Sequence, residues 1–370
     1  MVLGPASDGR DNNLNLIRLL AALAVLFSHA WPIARGPDAL PPVAALWGTS
    51  LATMAVTVFF VLSGFLIAGS WARRPDAAAF LAARIARLFP ALAVVVLLTA
   101  FGLGPVMTDM PLADYVTDPA TWTYPLRNLS LAFLQYPLPG VLMDAPYPGA
   151  VNGSLWTLVH EVACYGAVLA LGLLGLVGDR RRLTVALTVF AILYALGALV
   201  APALPQKLAA LRLLAFPFAL GMAAWAWRDR IVLRWDVGAA FLALAWFLRG
   251  SPLAAETLAL ALGYGAALLA FRPGGAIRGW NRLGDYSYGV YIIAFPVQQA
   301  LLHWAGPMTP LDNAAVAALI TLPLAVICWH AIERPALARK DRLAAAFRAA
   351  AASPRPSPPR PPFRSEPPRR

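Results

Sequence analysis

Charge is scarce in this chain of 370 residues. Only 13% are charged and 60% are hydrophobic, against roughly a quarter charged in an ordinary soluble domain. With a mean hydropathy of +0.65, polar surface is too limited to clothe one water-soluble core, and lipid must solvate much of the protein. Cysteine is nearly missing. Cys164 and Cys328 both sit inside apolar runs, so neither a disulfide framework nor a metal site is expected. Acid is short too, with 18 Asp and Glu against 30 Lys and Arg and a net charge of +12. Such an excess raises the question of nucleic acid, which the placement of the charge answers. Ten of the basic residues fall between Arg334 and Arg370, and the others form small clusters between apolar runs. Without an aromatic-studded basic face, nucleic-acid binding is a poor reading.

Long apolar runs are abundant. Ten stretches approach the roughly 20 residues that cross a bilayer: 14–32, 46–70, 88–107, 154–177, 183–201, 208–227, 235–249, 253–271, 286–305 and 311–332. The first is not a cleavable signal peptide, because Arg18 interrupts it and no small-residue cleavage site follows His29. The seventh is short enough to be tilted or partly interfacial. If the N-terminus is cytoplasmic, 24 of the 30 basic residues fall on the cytoplasmic side. Four lie outside: Arg35, Arg127, Lys207 and Arg249. Every loop then obeys the positive-inside rule, with both termini cytoplasmic. Helices are the open-ended elements whose backbone is satisfied in lipid. The expected fold class is therefore all-α, a polytopic membrane bundle of about ten helices.

Residues 108–153 form a long outer loop with Asp109, Asp114, Asp118 and Asp144 and several aromatics. It reads either as a lid or acceptor platform over the outer mouth, or as a variable surface loop. Residues 1–335 read as one membrane domain and 336–370 as a basic, proline-rich, disordered cytoplasmic tail.

Charges inside spans are costly, so each needs a partner or a role. Arg18 and His29 are eleven residues apart, which places them on one helix stripe, about 16 Å apart along the axis. Taken singly, Arg18 also reads as a snorkelling positive-inside residue and His29 as an interhelical hydrogen-bonding group. Ser63-Gly64 permits close helix packing. Arg84 and Arg87, three residues apart, share a helix face; they suit either phosphate binding or simple topology. Glu161 lies about two turns inside the fourth span, where a carboxyl group needs a facing cation or donor. His29, at comparable depth, is the expected partner. Glu333, at the last boundary, is placed to pair with cytoplasmic arginines.

These residues resemble the acyltransferase 3 family of integral membrane O-acyltransferases, which includes O-antigen and other polysaccharide acetylases. The resemblance spans residues 12 to about 335. It rests on Arg18 and His29, on Phe59-Phe60-Val61-Leu62-Ser63-Gly64-Phe65, on Arg84 and Arg87, and on Ser154 to Glu161. Tyr286 to Tyr291 and Glu333-Arg334-Pro335 complete it. Ala294 departs from the pattern, since relatives often carry a histidine there. The resemblance implies a bacterial cell-membrane enzyme that binds no permanent cofactor. Its donor is a cytoplasmic acyl-CoA, acetyl-CoA foremost, and its acceptor a hydroxyl on a carbohydrate or glycolipid. Within it, Arg84, Arg87 and Arg18 hold the donor phosphates, and His29, Glu161 and Arg18 serve catalysis, with His29 as general base. Ser63, Trp156 and Tyr286 are candidates for the oxyanion donor. The competing class is a secondary transporter or lipid-linked sugar flippase; the sequence shows no internal repeat to support it.

Overall fold

The computed structural model describes residues 1–9, 11–200 and 203–352. Ten helices carry the chain back and forth. They are α1 (Leu14–Arg35), α2 (Leu51–Arg73), α3 (Ala77–Leu98), α4 (Trp156–Leu173), α5 (Arg180–Val200), α6 (Gln206–Ala226), α7 (Trp235–Phe247), α8 (Ala254–Phe271), α9 (Ser287–Ala305) and α10 (Pro310–Cys328). Among the described residues, eight helices are long and apolar enough to cross a membrane. The bundle is all-helical, as the composition requires.

The two remaining expected spans form, but fall short for different reasons. At 13 residues, α7 reaches about 20 Å, less than the roughly 30 Å hydrocarbon core. The 19 residues of α9 include Gln298 and Gln299, which lower its hydropathy. Both glutamines face protein. Gln298 donates to the Leu26 carbonyl and to Asn313, each at 3.0 Å, and Gln299 donates to the carbonyls of Tyr147 and Ala150. Enclosed between α1 and α10, α9 trades apolar surface for hydrogen bonds inside the bundle.

Helix boundaries follow local chemistry. Ser50 caps α2 by accepting from the Thr53 amide, and Asp76 caps α3 through the Ala79 amide. That cap corrects the third span, expected from residue 88. The helix starts at Ala77 and continues through a π-turn to Met107, so Arg84 and Arg87 lie within it. The segment expected to open the disordered tail also differs. Lys340–Ala352 is a helix, α11, rich in alanine, the strongest helix former. Arg74 bonds its Asp341 at 2.9 Å and its Arg348 bonds Asp76 at 2.7 Å. The rest of the expected tail, 353–370, lies outside the described residues.

The outer loop is packed rather than loose. Tyr115 and Tyr124 are fully buried, and Tyr115 donates to the Ala100 carbonyl at 2.6 Å. Asn152 ties the end of the loop to α9 through the Ile292 carbonyl.

Among the eight long apolar helices α2 is the most enclosed, and it packs closely against α6. A Cβ on Gly64 would collide with the Phe218 carbonyl, and one on Gly221 with the Val61 carbonyl. The packing reading of Ser63-Gly64 is thus correct for the glycine. Gly64→Ala is expected to destabilise the bundle by about 1–3 kcal/mol, the scale of overpacking. Thermal unfolding in detergent measures this, and an unchanged midpoint would refute the contact.

Candidate functional site

Two cavities are stacked along α1, and the eleven-residue spacing of Arg18 and His29 explains why. The stripe they share opens into both. The arginine cavity, about 200 Å³, is lined by Arg18, Arg84, Arg87, Glu161, Ser63, Thr157, Tyr165 and Lys340, among others. The histidine cavity, about 290 Å³, takes His29, Ser28 and Trp156, with Pro37, Ala39, Leu40 and Pro41 from the turn after α1. Among the described residues, only Val56 and Tyr291 line both.

The floor of the arginine cavity is an ion network that sequence reasoning missed in part. Asp285, in the turn before α9, accepts from Arg18 at 2.5 Å and from Arg87 at 2.6 Å. The other arm of Arg87 reaches Glu333 at 2.7 Å, which realises the expected pairing of Glu333 with an arginine. A π-turn, Trp329–Glu333, aims this fully buried carboxylate inward; such turns recur at functional sites. Ser287 steadies Asp285 through its hydroxyl at 2.5 Å. Burial pushes the Asp285 carboxyl up, yet the Arg18 and Arg87 guanidinium groups outweigh it and hold it below its ordinary range. The stability it contributes is therefore present above the usual carboxyl pKa and is lost as pH falls through the lowered value. Gly284 is required beside it. Its φ is +144°, and a Cβ would strike the Trp329 ring. A lone acid between a run of arginines and a span start was the signal available for Asp285.

Arg84 and Arg87 share a face but not an environment. Arg87 is neutralised by two carboxylates and sandwiched between Tyr288 and Trp329, at 5.6 and 5.7 Å. Arg84 has no carboxylate partner within salt-bridge distance among the described residues. Its guanidinium lies over the Tyr165 ring at 5.7 Å, and its Nε is buried without a hydrogen-bond partner.

His29 and Glu161 do not form the expected pair. Glu161 accepts a short hydrogen bond from Tyr165 on the next turn of α4 and lines the arginine cavity. His29 sits in the other cavity, with its Nδ1 buried and, among the described residues, unpartnered, and its ring edge-on to Phe295 at 5.4 Å. Tyr165 intervened because an i, i+4 neighbour on the same helix outcompetes a partner on another. The four-residue interval between Glu161 and Tyr165 was the signal available for this pair. Of the other candidates, Ser63 lines the arginine cavity and Trp156 the histidine cavity. Tyr286 lines neither; its hydroxyl donates to the Leu283 carbonyl at 3.0 Å. His160 is buried, its ring edge-on to Trp156.

Comparison with known proteins identifies the family. Residues 11–330 match the model of the acyltransferase 3 family, described as an acyltransferase domain. The O-acetyl transferase of Shigella phage Sf6 is 30% identical over 349 residues, covering 90% of this chain and 98% of that protein. Nodulation protein 10 of Rhizobium leguminosarum bv. viciae is 29% identical over 386 residues, covering 93% and 98%. No solved structure matches. With the family model running from the start of α1 to the π-turn that carries Glu333, a transporter reading has no footing. The chain belongs to the acyltransferase 3 family and is a multi-pass membrane acyltransferase.

Proposed function

We propose that this enzyme moves an acetyl group from acetyl-CoA, held in the arginine cavity, to a hydroxyl of a glycan or glycolipid admitted to the histidine cavity. The observation that carries this reading is the pair of abutting cavities. One is lined by cations, including a buried guanidinium that lacks a carboxylate; the other holds a titratable imidazole. The excess of basic residues at the arginine end favours a cytoplasmic location for that end in the cell membrane. It is the side on which an anionic coenzyme A ester is available. The acetylating relative from phage Sf6 supports the choice of acyl group.

In this scheme Arg84, with Lys340 at the cavity mouth, takes the donor's phosphates. Arg18 and Arg87, already engaged by Asp285 and Glu333, shape the floor. Glu161 orients Arg84 through the shared Tyr165. The thioester lies against the Val56–Tyr291 wall. From the far side the acceptor hydroxyl attacks the thioester carbonyl as His29 takes its proton. Collapse of the tetrahedral intermediate breaks the C–S bond, and the imidazolium returns the proton to the departing thiolate.

Reconstituted vesicles with radiolabelled acetyl-CoA and extracted glycolipid test the scheme. Transfer is expected only when acetyl-CoA is supplied on the side of the arginine cavity. Arg84→Ala should weaken CoA binding by about 1–3 kcal/mol, the scale of a charge-assisted hydrogen bond. Full CoA affinity in that variant would move the phosphate site elsewhere, and transfer from the opposite face would reverse the topology.

A further inference from the structure

The wall between the cavities carries a polar device of its own. Tyr291 and Thr157 are buried, at 8% and 4% exposure, and their hydroxyl oxygens are 2.6 Å apart. Two hydroxyls joined by one hydrogen bond use one proton between them and keep the other. Among the described residues neither oxygen makes a further hydrogen bond. Whichever donates, one O–H is left over at a buried site. That site is the junction. Tyr291 lines both cavities, while Thr157 lines the arginine cavity and its chain neighbour Trp156 lines the histidine cavity.

We propose that the Tyr291–Thr157 hydroxyl pair is the oxyanion donor of acyl transfer. The assignment rests on the acyl-CoA reading above and adds to it the group that receives developing negative charge. As the acceptor oxygen bonds to the thioester carbon, the carbonyl π electrons move onto its oxygen. The spare O–H of the pair donates to that oxygen, and the second hydroxyl supports the first through the 2.6 Å bond. When the carbonyl re-forms, the C–S bond electrons leave with the thiolate and the pair returns to its resting state without gaining or losing a proton. Preorganisation makes such a donor effective, because a buried pair in low dielectric needs no reorganisation as charge appears. Two of the other candidates, Tyr286 and Trp156, fit this role less well. The Tyr286 hydroxyl is engaged by the Leu283 carbonyl and lines neither cavity, and the Trp156 ring, 39% exposed, lies on the acceptor side.

The test measures single-turnover transfer from radiolabelled acetyl-CoA, together with CoA affinity, for Tyr291→Phe, Thr157→Val, Thr157→Ser and the double variant Tyr291→Phe/Thr157→Val. Each single loss leaves one hydroxyl free to turn toward the carbonyl, so roughly tenfold slower transfer is expected. The double variant should fall by about 10²- to 10³-fold, the scale of a lost oxyanion donor. CoA affinity should stay within twofold throughout, and Thr157→Ser should retain wild-type transfer. A merely structural pair would instead lower thermal stability and CoA affinity together. Should the double variant fail to fold, the single variants decide. Transfer within twofold of wild type in both would overturn the assignment. Wild-type protein with no transfer from acetyl-CoA would instead overturn the acyl-CoA reading, and the assignment with it.

Discussion

His29→Ala is expected to slow acyl transfer by about 10²- to 10⁴-fold while CoA binding persists, the signature of a lost general base. The geometry makes the separation clean. His29 lines the cavity opposite the one that carries Arg18, Arg84 and Arg87, so its removal touches none of the three arginines. Nδ1 is buried and, among the described residues, unpartnered, so on the proposed reading Nε2 is the nitrogen an acceptor hydroxyl meets. Packing against Phe295, not a carboxylate, holds the ring. Phe295 in turn lies edge-on to Tyr147 of the 108–153 loop at 5.8 Å, so the loop takes part in placing His29. Single-turnover transfer beside calorimetric CoA binding is the measurement. Near-normal transfer by His29→Ala would remove proton transfer from this residue, whatever the fate of the donor site.

Arg87→Ala is expected to cost about 3–5 kcal/mol of stability, because it strands a buried carboxylate without its cation. Glu333 is fully buried and Arg87 is its only cation among the described residues, whereas Asp285 keeps Arg18. Adding Glu333→Gln should therefore recover much of the loss, since a neutral amide tolerates burial better than an unpaired charge. Asp285→Asn should be milder than Arg87→Ala and should flatten the loss of stability at acid pH. Thermal midpoints of the three proteins in one detergent decide the point. If Arg87→Ala melts like wild type but fails to bind CoA, the arginine is a donor ligand and the ion network is incidental. This contrast with Arg84, where binding and not stability is expected to suffer, separates two residues that sequence spacing treats as equivalent.

What the sequence alone determined was set by the solvent and by helical periodicity. Scarce charge and long apolar runs dictate a helical membrane bundle, since no other open-ended element satisfies its backbone in lipid. The eleven-residue interval between Arg18 and His29 put both on one stripe, and that stripe does line the two cavities. A glycine beside Ser63 implied a close helix approach, and the α2–α6 contact supplies it. Tertiary structure decided the partners. Asp285, Arg87 and Glu333 come from the turn before α9, from α3 and from the π-turn after α10. No local pattern states that these three segments converge. The same holds for Thr157 and Tyr291, separated by 134 positions in the chain. Periodicity tells which side of a helix a residue occupies, because rise and twist per residue are constant. Which residue it meets there depends on how whole helices pack, and that is set by the summed fit of many side chains rather than by any one interval in the sequence.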